Sequence, residues 1–132
     1  MEKYILLSIK PRIVKEITSG EKKFEFRKTF PDLNKSEISN KIIIYCSKPT
    51  MQIIGSFVVK SYYNDNFESL MELVGATDEY KSRIEAYFIN KNSCHAMEIS
   101  EIILYETPLS LSYLREEFPG FCPGQSYRYL EP

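Results

Sequence analysis

The stretch Gly20-Glu21-Lys22-Lys23-Phe24-Glu25-Phe26-Arg27 most limits what this chain can fold into. A helical stripe of Ile13, Val14 and Ile17 stops at Gly20, and a strand pattern starts soon after. Alternation along a strand sends Phe24 and Phe26 to one face and Lys23, Glu25 and Arg27 to the other. Glu25 and Arg27 are then same-face neighbours roughly 6.5–7 Å apart. The phenylalanines are expected in a core and the charged pair in a cleft. Lys22 sits where the turn ends, so alternation does not set its direction. Taken alone, the segment reads as a half-buried strand with a solvated charged face; its surroundings change that weighting.

Around it, Tyr4–Ile9 reads as a buried first strand, and Pro11 suits the first turn of a helix, where its missing N–H costs nothing. The Ser8–Pro11 turn is a candidate wall for a polar or anionic ligand, because helix N-termini offer free N–H groups. Its plainer reading is a strand-to-helix connection. Pro31–Asn40 is polar and reads as a loop. The run Ile42-Ile43-Ile44-Tyr45-Cys46 has the character of a strand covered on both faces. A long strand follows over Met51–Tyr63, with Gly55 marking a bulge or bend. Two helices are predicted next, one from Asn66 to Gly75 and one after Thr77-Asp78-Glu79, where Tyr80, Ile84, Tyr87 and Phe88 form the apolar stripe. A strand over His95–Tyr105, a short helix within Pro108–Phe118 and a final strand over Gln125–Leu130 complete the order. The fold class is therefore α+β: a small mixed barrel with short helices at its rim, in one domain spanning residues 1–132.

Net charge is −1, yet residues 1–60 carry 12 Lys/Arg against 6 Asp/Glu, and residues 61–132 carry 5 against 12. Such polarity lets a chain without a basic pI bind an anion, although the fold can interleave the halves. Cys46, Cys94 and Cys122 are odd in number and lack a Cys-x-x-Cys pair. That argues against a disulfide framework and against structural zinc, and it suits a reducing cytoplasm. No apolar stretch approaches the ~20 residues of a membrane span. Lys10 and Arg12 interrupt the amino-terminal apolar run, which excludes a signal-peptide core.

In chain order, Ser8-Ile9-Lys10-Pro11, Gly20-x-Lys22-x-x-Glu25-x-Arg27, Tyr45-x-Ser47-x-Pro49 and Gln125-Ser126-Tyr127-Arg128-Tyr129-Leu130 resemble the ASCH domain family over nearly the whole chain. The resemblance implies a PUA-like β-barrel and binding of RNA or of a modified nucleoside or nucleotide, with no cofactor. It implies a ligand cleft built from Ser8, Lys10, Lys22, Glu25, Arg27, Ser47, Gln125, Ser126 and Arg128. Three of these segments lie at strand ends or a helix N-terminus, where barrel clefts form.

Glu25 and Arg27 have two readings. They hold the barrel seam as a structural pair, or they grip a ligand, the carboxylate accepting from an amino group and the guanidinium forking onto phosphate or carbonyl. The cations Lys10, Lys22 and Arg128 favour the ligand. Some small ASCH proteins are similar to acetylcytidine amidohydrolases, in which a lysine and a hydroxyl of this motif act together. Lys22 matches the lysine, but Glu25 stands where the hydroxyl nucleophile belongs, so that activity is not carried over. Lys22 and Glu25 remain the catalytic pair if the cleft activates water. A protein-interaction domain is the third function class. His95, in Ser93-Cys94-His95, forms no triad with residues adjacent on a strand, and one histidine with scattered cysteines makes no metal site. Tyr45, Tyr127 and Tyr129 are candidates for base stacking or for core packing.

Overall fold

The computed structural model describes residues 2–35, 37–88 and 94–130. Strand β1 (Lys3–Ile9) runs into helix α1 (Pro11–Thr18), and Gly20 at φ +86° turns the chain out of it. Strands β2 (Phe24–Arg27), β3 (Ile38–Cys46) and β4 (Gln52–Asp65) follow. Helix α2 (Phe67–Leu73) is capped by the Asn66 side chain, which accepts from the Ser69 N–H. Helix α3 (Asp78–Glu85) is capped in the same way by Thr77 and continues into a 3-10 turn at Ala86–Phe88. Strand β5 (Cys94–Ser110), helix α4 (Leu111–Glu117) and strand β6 (Tyr127–Leu130) complete the described elements.

The six strands form one sheet in the order β2-β5-β4-β3-β1-β6. Only the β1–β3 pairing is parallel; the other four are antiparallel. This is the expected α+β class, a curled mixed sheet with short helices beside it. Gly55 sits at a register shift in β4, and a Cβ there would lie 2.1 Å from the Ile103 carbonyl oxygen. No helix among the described residues is long and apolar enough to cross a membrane.

Inside the curl, Ile5, Leu7 and Ile9 of β1 meet Ile42 and Ile44 of β3, Phe57 of β4 and Met97 of β5, with Val14 and Ile17 of α1 as a lid. A second cluster packs α2, α3 and the 3-10 turn on the outer face of the sheet through Phe26, Leu70, Met71, Phe88, Cys94 and Ala96. Strand β2 thus has both faces covered. Glu25 pairs with Met97 and Arg27 with His95 on the inner side, whereas Phe26 pairs with Ala96 on the helix side. Glu25 is accordingly 5% exposed and more deeply buried than Phe26 at 7%, and Phe24, expected in the core, is only half-buried at the strand's start.

Two boundaries differ from expectation. Strand β3 begins at Ile38, inside the predicted loop. Strand β5 runs through Pro108, and α4 starts only at Leu111 behind a Ser110 cap. Strand β2 pairs no further along β5 than Glu98, so Pro108 lies on an open edge, where a missing N–H breaks no ladder.

Candidate functional site

Short-range geometry places the site's cations. After the Gly20 turn, the Lys22 N–H donates to the Glu16 carbonyl at 2.9 Å, tying the entry of β2 to α1. The Lys22 ammonium then lies 3.6 Å from Glu25 Oε1, an ion pair longer than a hydrogen bond. On the other carboxylate oxygen, Arg27 Nε donates to Glu25 Oε2 at 2.8 Å and Nη2 reaches it at 2.7 Å. Arg27 also donates from Nη2 to the Ser8 carbonyl at 3.2 Å and from Nη1 to Ser126 Oγ at 3.3 Å. Its remaining contacts therefore cross from β2 to the end of β1 and to the segment before β6, the two edges brought together by the curl of the sheet.

Above this group opens a cleft of about 650 Å³, between the start of α1, strand β2, the inner turn of α3 and the Gly124–Gln125 segment. Lys10, Arg12, Lys22, Arg27 and Arg83 line it against a single carboxylate, Glu25, in a chain whose net charge is −1. Lys22 and Arg27 share that carboxylate, whereas Lys10 and Arg12 make no ion pair among the described residues. Lys10, Arg12 and Arg83 are exposed at its mouth, and several like charges gathered around one acid favour an anion entering it.

Of the residues expected here, Ser8, Lys10, Lys22, Glu25, Arg27, Ser47 and Gln125 all line the cleft. Ser126 stands just behind, accepting from Arg27. Ser8 donates its hydroxyl to the Gly124 carbonyl at 3.1 Å, and Ser47 donates to the Ile9 carbonyl at 3.4 Å, so both hydroxyls tie loops together. Arg128 is placed elsewhere. Its Nη1 donates to the Cys122 carbonyl at 2.6 Å and its guanidinium lies 5.1 Å from the Phe121 ring, because alternation in β6 turns it to the face opposite Tyr127. Tyr127 packs on Phe30 and Tyr129 lies outside it, so of the three tyrosines proposed for stacking only Tyr45 reaches the cleft.

Arg12, Arg83, Tyr80 and Tyr87 were not expected here. The tyrosines belong to the stripe of α3 and the 3-10 turn that reads as core, and Arg83 shares that stripe three residues after Tyr80. Burial raises the Tyr80 phenol, and the Glu25 carboxylate adds to this while Arg83 opposes it. Burial likewise raises Tyr87 against the opposing charge of Arg27. Both rings therefore present neutral hydroxyls at neutral pH.

His95 lies beneath the site at the Arg27 register position, with Nδ1 2.6 Å from the Tyr62 hydroxyl. Burial lowers its pKa, with Asp32 opposing. Burial, helped by Asp32, pushes the Tyr62 phenol up to about 12, so the phenol keeps its proton at neutral pH. Ser93 lies outside the described residues. Among the described residues no group of His, Cys, Asp and Glu could hold a metal ion.

The ASCH domain family model matches residues 7–103, well over half of the chain. An ASCH domain-containing ribonuclease of Zymomonas mobilis is 26% identical, over 97% of this chain and 84% of its own length. The crystal structure of ASCH from Zymomonas mobilis superposes with a TM-score of 0.78 at 24% identity, covering 97% of this chain and 87% of that one. The N-terminal domain of Staphylothermus marinus McrB has the same general fold, with a TM-score of 0.54 at 14% identity over 88% of this chain and 81% of that one.

Proposed function

The chain belongs to the ASCH domain family, and from that membership and the charge of the cleft we propose that it is an RNA-binding module, in one domain spanning residues 1–132. The carrying observation is five cations facing one carboxylate in a cleft of nucleotide size, on a protein that is acidic overall. Backbone phosphate supplies the anion, and Tyr80 and Tyr87 offer rings and hydroxyls to an unpaired base. Glu25 holds Lys22 and Arg27 in place rather than meeting the phosphate. A modified nucleobase is a narrower form of the same proposal, with Glu25 Oε1, which accepts no close hydrogen bond among the described residues, as a ready acceptor for an amino group. All three cysteines are free, which supports a reducing, cytoplasmic setting.

A second reading, RNA cleavage in the same cleft, is favoured by the relative named as a ribonuclease. Fluorescence anisotropy with a labelled single-stranded RNA, beside its 2′-O-methyl form and a denaturing gel of the products, tests both. Binding of both strands with intact RNA supports the module. Shortened products from the unmodified strand alone favour cleavage. No binding of either strand to wild type, or equal binding by wild type and a Lys10→Ala, Arg12→Ala double variant, sinks the proposal.

A further inference from the structure

Beside the cleft lies a second lobe of about 880 Å³, walled by α1, the Glu21–Phe24 entry to β2 and the turn Val74–Thr77 between α2 and α3. The two lobes meet along a shared ridge. Lys22 Nζ sits 5.5 Å from the Phe26 ring centroid, Phe26 and Tyr80 are 5.9 Å apart, and the Arg83 guanidinium is 5.9 Å from the Tyr80 ring. All four residues line both lobes, and so does Arg12. The boundary is therefore the partly exposed Tyr80 ring resting on buried Phe26 and flanked by three cations, with a lobe on either side.

A single-stranded RNA repeats that pattern: base, phosphate, base. Bases splayed from one another seek apolar walls and rings, and the phosphate between them seeks charge. We propose that the two lobes are consecutive nucleotide subsites, with the internucleotide phosphate held by Arg12, Lys22 and Arg83 and one base on each side of the Tyr80 ring. The inference rests on the RNA-binding reading and deepens it, since it makes an oligonucleotide, not a lone nucleoside, the preferred occupant. The second lobe is the less cationic, because Glu16 and Glu21 line it with Lys23. That suits it to a base and ribose more than to a further phosphate.

Calorimetry with 5′-phosphorylated adenylate oligomers of one, two and three nucleotides, and with a 20-nucleotide single strand, provides the test. Wild type should bind the dinucleotide about tenfold more tightly than the mononucleotide, with a smaller gain for the third. Lys23 is exposed and lines only the second lobe. Lys23→Glu should leave mononucleotide affinity within about twofold and remove most of the dinucleotide gain. Lys10→Ala, in the first lobe alone, should weaken both. Equal binding of one and two nucleotides, or a dinucleotide gain untouched by Lys23→Glu, would overturn the two-subsite inference while leaving RNA binding intact. Failure of every oligomer, the 20-mer included, removes the RNA-binding reading and the inference with it.

Discussion

Arg27 in β2 donates to Ser126 Oγ at 3.3 Å across 99 residues of sequence. Strands β2 and β6 are the outer strands of the sheet order, and no backbone ladder joins them among the described residues. The guanidinium stands in for that ladder, reaching Glu25 on its own strand, Ser8 at the end of β1 and Ser126 before β6. Of the two roles open to it, the seam explains every contact it makes. The cations left to a ligand are those without such duties, Lys10 and Arg12 above all.

Arg27→Met should therefore be a stability variant first. It leaves a carboxylate that is 5% exposed with only the longer Lys22 pair, at a cost of about 3 kcal/mol in chemical denaturation. Replacing both partners, Glu25→Leu with Arg27→Met, should recover part of that loss. Unchanged stability of Arg27→Met together with lost RNA binding would assign Arg27 to the ligand instead.

Affinity for single-stranded RNA should fall with salt along a log–log slope of about −2, from roughly three phosphate contacts. Arg12→Ala should flatten the slope by about 0.7 and leave the midpoint of unfolding nearly unchanged. A slope several times steeper would place binding on a different, broader surface.

Arg128→Ala should leave RNA affinity within about twofold of wild type, since its guanidinium is spent on the Cys122 carbonyl and the Phe121 ring. Loss of a local hydrogen bond should cost about 1 kcal/mol of stability. A marked loss of binding would return Arg128 to the site.

The Tyr62–His95 pair should shape stability against pH at both ends. Burial lowers the folded pKa of His95, so its contribution is complete above the ordinary value of 6.5 and is lost as pH falls through the lower folded value. Tyr62 is shifted upward, so its contribution is complete below 10.0 and is lost as pH rises toward about 12. Denaturation of wild type and His95→Gln from pH 4 to 8 should show the acid-side difference shrinking as pH falls. Parallel curves would mean that the histidine does not sense its burial.

Gly55→Ala should cost about 2 kcal/mol or more, because the new Cβ would meet the Ile103 carbonyl at 2.1 Å and both partners are backbone. Thermal unfolding measures it, and a neutral result would mean that the strands part more easily there than their packing indicates.

Much of this architecture was legible locally. Gly20, Asn66 and Thr77 punctuate the chain through turn and cap chemistry that needs no distant partner. The apolar run Ile42–Cys46 announces a covered strand, and β3 lies between β1 and β4. The direction of Arg128 was not legible, because alternation assigns a face only once β6 is registered against β1, where Arg128 lies opposite Leu6. Tyr80, Arg83, Ile84 and Tyr87 were hidden differently. A helix stripe that walls a cleft has the same spacing as one that fills a core, and only the packing of α3 against β2 separates them. Glu25 reversed the usual inference from polarity. Its face of β2 was expected in a cleft, and it lines one, but it is as buried as the core, where Lys22 and Arg27 neutralise it.

The pairing of β1 with β6 also bears on how the protein is made. Tyr4 through Leu7 leave the ribosome first among the strands, yet their antiparallel partners are Tyr127 through Leu130. Ser8 meanwhile takes backbone and side-chain contacts from Ser126 and Gly124. A nascent chain stopped short of residue 124 holds Lys10, Arg12, Lys22 and Arg83 but lacks one wall of the cleft and the far anchor of the Arg27 clasp. The cleft is thus completed only when the residues from 124 onward close over the end of β1.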